Sequence, residues 1–197
     1  LYITTNLFFL PPSQAQILFD HSPLDLVLSS FVDENGLVDY AGLQKNRTNL
    51  NVYMDSIGKV SPESHPKRFS SSTEQLAYWI NVYNASVLTG ITDAYPISSV
   101  KDILLFNGFF NRQKWTVGGR KLTLDTIEND IIRTQFNDPR THFVLNCGAM
   151  SCPPLESRAF TGSSLEKRLE KALERFISNE HFFTLSGNQL FLSKIID

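Results

Sequence analysis

Residues 74–88 read Glu-Gln-Leu-Ala-Tyr-Trp-Ile-Asn-Val-Tyr-Asn-Ala-Ser-Val-Leu, apolar on nearly every side of a helix. That pattern predicts a central, buried helix, and Ser71-x-x-Glu74 supplies a capping box at its start. Helical spacing recurs over 24–32 and over 43–57, the latter ended by Gly58. Asp125-x-x-Glu128 opens a further helix that reaches Phe136 before Asp138-Pro139 breaks it, and Ser163-x-x-Glu166 opens a strongly amphipathic one to Ser178. Strand patterns are short. Trp115-Thr-Val and Lys121-Leu-Thr-Leu flank Gly118-Gly119 as a hairpin, 182–185 and 189–192 flank Gly187-Asn188 as a second, and 142–147 forms a β-prone run. Strands and helices do not alternate regularly. The expected fold is therefore α+β, a single domain in which a central buried helix packs on a small, mostly antiparallel sheet with further helices around it. Residues 1–18 read as a leader or flexible N-terminal segment, and 19–197 as the domain. The apolar end Leu190-Phe-Leu-Ser-Lys-Ile-Ile-Asp197 looks truncated.

Composition narrows the function classes. The chain of 197 residues is 42% hydrophobic and 19% charged, a globular balance with enough length for a substantial core. Fifteen Phe against two Met and two Trp imply an aromatic core. The net charge of −2 is scattered, so no basic stripe supports nucleic-acid binding. No apolar run reaches the length of a transmembrane helix. Two cysteines exclude a disulfide-dense scaffold but allow one disulfide or two thiols.

Both cysteines lie in Thr141-His-Phe-Val-Leu-Asn-Cys-Gly-Ala-Met-Ser-Cys-Pro-Pro-Leu155. Thiolates are strong nucleophiles and imidazoles ionise them, so His142 with Cys147, or with Cys152, is a candidate dyad. In a regular strand the odd offset of five points His142 and Cys147 to opposite faces, and a bend at Gly148 is needed to join them. A Cys147–Cys152 disulfide and two inert thiols are the other readings. Cys-x4-Cys without a second ligand pair falls short of a zinc pattern, and no metal or cofactor is expected. In the central helix, Glu74, Asn81 and Asn84 share roughly one face. Such polar groups either anchor backbone or line a pocket, where Asn81 or Glu128 would orient the imidazole. Arg133, Arg140 and Asn146 complete the candidate binding residues. An arginine in this setting serves an anion or, more commonly, a structural ion pair. Two functions follow as expectations. One is a thiol-dependent hydrolase or acyltransferase acting on an amide or ester, with backbone N–H groups at Gly148-Ala149 stabilising the oxyanion. The other is a non-catalytic domain that binds a peptide or small ligand or serves as a scaffold, with the cysteines joined.

Several segments resemble a known family. Leu76-Ala-Tyr-Trp-Ile-Asn-Val-Tyr-Asn-Ala85, Leu124-Asp-Thr-Ile-Glu128 with Ile132-Arg133, and Arg140-Thr-His-Phe-Val-Leu-Asn-Cys-Gly-Ala-Met-Ser-Cys-Pro-Pro-Leu155 are similar to motifs of domain of unknown function 547, in the same order. Val32-Asp-Glu-Asn-Gly-Leu-Val-Asp-Tyr40 fits as well. The resemblance implies an exported or periplasmic setting over a cytoplasmic one, which suits a disulfide. Plant members carry leucine-zipper segments, which implies a possible protein partner. Asn129 stands where members often have His, and an amide does not titrate.

Overall fold

The computed structural model describes residues 17–104, 107–149, 152–178, 183–186 and 189–192. Its axis is α4 (Ser72–Ala94), in which every residue from Leu76 to Thr92 is buried. The helix runs six residues past its predicted end: it begins at Ser72, as the capping residues require, and continues beyond Leu88 to Ala94. Ser71 Oγ accepts the Glu74 N–H at 3.2 Å, and Glu74 in turn accepts from the N–H and Oγ of Ser70. Nothing polar faces solvent along the middle of α4, so its stability comes from packing on all sides rather than from one stripe. Gly90 shows how close that packing is. A Cβ there would lie 2.3 Å from Cε2 of the fully buried Phe109.

The surrounding layer comprises α1 (Ser22–Phe31), α2 (Tyr40–Lys45), α3 (Thr48–Lys59), the short α5 (Gly108–Asn111), a π-type helix (Thr126–Phe136) and α6 (Leu165–Ile177). Helices α2, α3, α6 and the π-type helix contact α4, and α1 packs on α3 and α2. The single helix expected over 43–57 is two helices, because Asn46 caps α2 with bonds to the carbonyls of Gly42 and Leu43 before Thr48 restarts the chain. Gly58 lies inside α3 and does not end it.

The sheet component is two antiparallel hairpins. Strands β1 (Trp115–Val117) and β2 (Arg120–Leu122) pair Trp115 with Leu122, and the N–H groups of Gly118 and Gly119 bond the C-terminal carbonyls of α3 at 2.8 and 2.9 Å. Strands β3 (Phe183–Ser186) and β4 (Gln189–Leu192) pair as predicted, while the turn Gly187-Asn188 lies outside the described residues. So do residues 1–16 of the expected leader and residues 193–197. Ile17 is 78% exposed, and Phe19 is the first described residue in the core.

One predicted strand is absent. Residues Pro139–Phe143 form a 3₁₀ turn, and residues 144–147 are irregular. Pro139 presets the first helical φ, Asp138 caps the Arg140 N–H at 3.0 Å, and Thr141 Oγ1 donates to the Asp138 carbonyl at 2.8 Å. Local capping therefore outweighs β propensity. The face alternation that separated His142 from Cys147 does not apply.

Candidate functional site

The two cysteines form a disulfide, with Cα atoms 6.0 Å apart, and no described cysteine is free. Its loop is fastened by four hydrogen bonds. Asn84 donates to the Val144 carbonyl and accepts the Asn146 N–H, both at 2.9 Å. Asn146 in turn donates to the Pro153 carbonyl at 2.7 Å and accepts the Gly148 N–H at 2.9 Å, tying the start of the loop to its end. Gly148 has φ +77°, and a Cβ would lie 2.4 Å from Cδ1 of Ile91, so the loop needs glycine there. Asn84, Asn146, Cys147 and Cys152 thus act as one fastening. In this oxidised form neither sulfur is available as a nucleophile.

His142 belongs to a different cluster. Its Nε2 accepts from Arg133 Nε at 3.0 Å and also contacts Arg133 Nη2. Arg133 Nη1 donates to Asn129 Oδ1 at 3.1 Å. Burial and the neighbouring guanidinium hold the His142 pKa below its usual value, against the opposing charge of Glu128. Glu128 also sits by the Tyr83 hydroxyl, whose pKa is raised well above normal by burial and then by that carboxylate. The π-type winding brings this group together. Five residues along an α-helix turn a side chain about 140° away, but at roughly 4.4 residues per turn the same spacing leaves only about 50°. Glu128 and Arg133 therefore share a face that α-helical geometry denies them. His142 and Arg133 line a cleft of about 460 Å³ with Asn137, Asp138, Pro139 and Thr141, and neither cysteine lines it. Arg140 is a structural cation, paired with Asp138 at 2.6 Å, Glu166 at 2.9 Å and Glu170 at 3.4 Å.

Asn81 orients an imidazole, but that of His21. Its Nδ2 donates to the Phe160 carbonyl at 2.8 Å and its Oδ1 accepts the Phe160 N–H at 2.9 Å. This pairing with one residue's backbone leaves the amide a single orientation. The remaining Nδ2 hydrogen is directed to His21 Nδ1 at 3.1 Å. Tyr53, fully buried, reaches the same nitrogen with its hydroxyl at 2.9 Å, and burial keeps that hydroxyl protonated. Two donors converging on Nδ1 require it to be unprotonated, so neutral His21 carries its proton on Nε2. Burial lowers the His21 pKa to about 4, outweighing the nearby charges of Asp20 and Glu74.

His21 lines two adjoining cavities. One, of about 550 Å³, is bounded by Asp20, Ser22, Asp25, Glu156, Arg158 and Arg168, among others. The second, of about 290 Å³, includes Arg68, Glu74, Gly162 and Ser163, and both share Phe19, His21 and Thr161. The far wall is pinned firmly. Asp25 accepts the Ala159 N–H at 2.9 Å, and Arg168 donates to the carbonyls of Ala159 and Arg158, both at 2.7 Å, with its guanidinium 3.8 Å over the Phe160 ring. No sequence signal marks His21, because its partners Tyr53 and Asn81 lie 32 and 60 positions away. Glu74, expected as a binding residue, does border the smaller cavity, although its carboxylate caps its own helix. Among the described residues, no group of three or more His, Cys, Asp or Glu side chains could hold a metal ion, and no helix is long and apolar enough to cross a membrane.

These features define a helix-dominated α+β domain in which one buried helix anchors a disulfide-closed loop and a groove wall. Residues 66–177, more than half of the chain, match the family described as "Protein of unknown function, DUF547", and the chain belongs to that family. Comparisons with curated proteins and with solved structures each found no match.

Proposed function

We propose that this is a non-catalytic ligand-binding domain whose Cys147–Cys152 disulfide is structural. The observation that carries the reading is the use to which the motif polar groups are put. Asn84, Asn146 and both cysteines fasten one loop, Asn81 fastens a groove wall, and Arg140 is consumed in ion pairs. The two arginine-lined cavities near His21 and the cleft at His142 are then the places where a peptide or small ligand, or a protein partner, would dock. The competing reading, thiol-dependent acyl transfer with Cys147 as nucleophile and His142 as base, needs the disulfide reduced. Peptide mapping without reductant, combined with an electrophilic thiol probe, tests the choice. A stoichiometric Cys147–Cys152 peptide and no labelling of native protein are expected. Labelling at Cys147, with hydrolysis of an activated ester lost in Cys147→Ala, would overturn the proposal.

A further inference from the structure

Resting on the binding reading, we propose that the groove at His21 takes a neutral, polyhydroxylated ligand, a carbohydrate unit seated across the two cavities that share Phe19, His21 and Thr161. Three observations converge. First, the charges around the groove compensate one another. Arg158 pairs with Asp25 at 2.8 Å and Arg168 with Glu156 at 3.1 Å, while Arg68 acts on Asp20. With Glu74 bordering the smaller cavity, four acids face three arginines, a net charge of −1. An anion finds Arg158 and Arg168 already paired, and a cation finds the Glu74 carboxylate already bonded by Ser70.

Second, the groove presents donors and acceptors side by side. Asn81 and Tyr53 occupy Nδ1 of His21, so its Nε2–H is the group left to donate, and no described residue accepts from it. Thr161 donates to Ser164 at 2.9 Å and lies 3.1 Å from Ser163, a cluster of hydroxyls that retain lone pairs. Ser22 and the carboxylate edges of Asp20 and Asp25 add further acceptors. A ligand whose hydroxyl groups both give and take hydrogen bonds matches this alternation. Third, 550 Å³ lies within the range of about 300–1,000 Å³ typical of small-molecule sites, and the second cavity extends it past His21. The wall is also pre-ordered by Asn81, Asp25 and Arg168, which reduces the ordering cost of binding.

The test is a nuclear magnetic resonance titration of the intact, oxidised protein with maltose, cellobiose, lactose and N,N′-diacetylchitobiose, alongside succinate, lysine and a neutral tetrapeptide. At least one sugar is expected to shift the His21 ring and the Thr161 and Ser164 amides saturably. Thr161→Val, which keeps the side-chain volume, is expected to weaken that binding by about tenfold, the loss of one hydrogen bond to a ligand. His21→Gln, which keeps a side-chain N–H, is expected to retain more affinity than His21→Phe, with thermal unfolding reporting that each variant is folded. Absence of saturable shifts with every sugar, shifts confined to other surfaces, or saturation by succinate or lysine alone would overturn the proposal. Saturation by the tetrapeptide alone would overturn the carbohydrate assignment and leave the binding reading standing, whereas Cys147-dependent ester turnover would overturn the binding reading itself.

Discussion

Asn81 and Asn84 lie three positions apart on the same buried helix, and each uses its amide as a two-ended clamp on a distant stretch of backbone. Asn84 holds Val144 and Asn146, the approach to a loop that a disulfide already closes. Asn81 holds Phe160 and has one hydrogen left, which reaches His21. The first clamp completes a structure. The second fixes a proton on one side of an imidazole that borders a groove. The difference teaches that a buried amide becomes informative about function through the hydrogen bond it makes beyond its backbone pairing, rather than through its burial or the motif that contains it.

Removing each amide separates the two roles. Asn81→Ala strands the N–H and carbonyl of Phe160, at about 1–3 kcal/mol for each unsatisfied buried group, and removes one of the two donors to His21 Nδ1, so a loss of roughly 4 kcal/mol is expected. Asn84→Ala strands two backbone groups and should cost roughly 3 kcal/mol. Denaturant midpoints at constant slope measure both. Equal losses, or a His21 tautomer unchanged by Asn81→Ala, would break the distinction.

Acidification is the next largest effect, and its His21 part bears on the Asn81 side. Above pH 6.5, His21 is neutral folded or unfolded and contributes nothing to the pH dependence. Below that, the unfolded chain takes up a proton that native His21 refuses until about pH 4. Stability therefore falls as pH drops through this window, by about 3 kcal/mol in all. His142 is shifted in the same direction, so the clean readout is the difference between the native protein and His21→Gln, whose pH profile should be flatter.

On the Asn84 side, Cys147→Ser with Cys152→Ser opens a loop with a sequence separation of five and should cost about 2 kcal/mol. The His21 resonances should not move. A change there would show that the two clamped regions are coupled. Smallest of all is Arg158→Ala. Its side chain is 67% exposed, and the Asp25 pair it breaks is worth at most about 1 kcal/mol.

How much of this was readable from the chain depends on the range of the interaction involved. Helix α4 was readable because an unbroken apolar run with a capping box leaves few alternatives, and the Gly118-Gly119 hairpin because its turn demands positive φ. The division at Asn46 and the 3₁₀ turn at Pro139 were lost to the same cause: a local cap overrode a longer periodic pattern. The π-type helix was hidden since a run of side chains does not announce whether it winds with i−4 or i−5 bonds, and that choice decides whether Glu128 and Arg133 share a face. At the cysteines, a spacing of five permitted thiols and disulfide equally. Asn81 was expected to orient an imidazole, and it does, but the partner is 60 residues away rather than in the cysteine segment. His21 carried no signal at all, because its environment is assembled from α3, α4 and the Phe160 loop.

The most direct measurement of the Asn81–His21 relation is the tautomer of His21, read from two-bond proton–nitrogen correlations of the imidazole as pH is lowered. The expected result is an unprotonated Nδ1 and a protonated Nε2, persisting in the neutral ring down to about pH 4, with the Nδ1-protonated tautomer gaining population in Asn81→Ala, where only the Tyr53 hydroxyl, able to donate or accept, remains at Nδ1. A proton on Nδ1, or a ring that titrates near 6.5 with Asn81 intact, would contradict it.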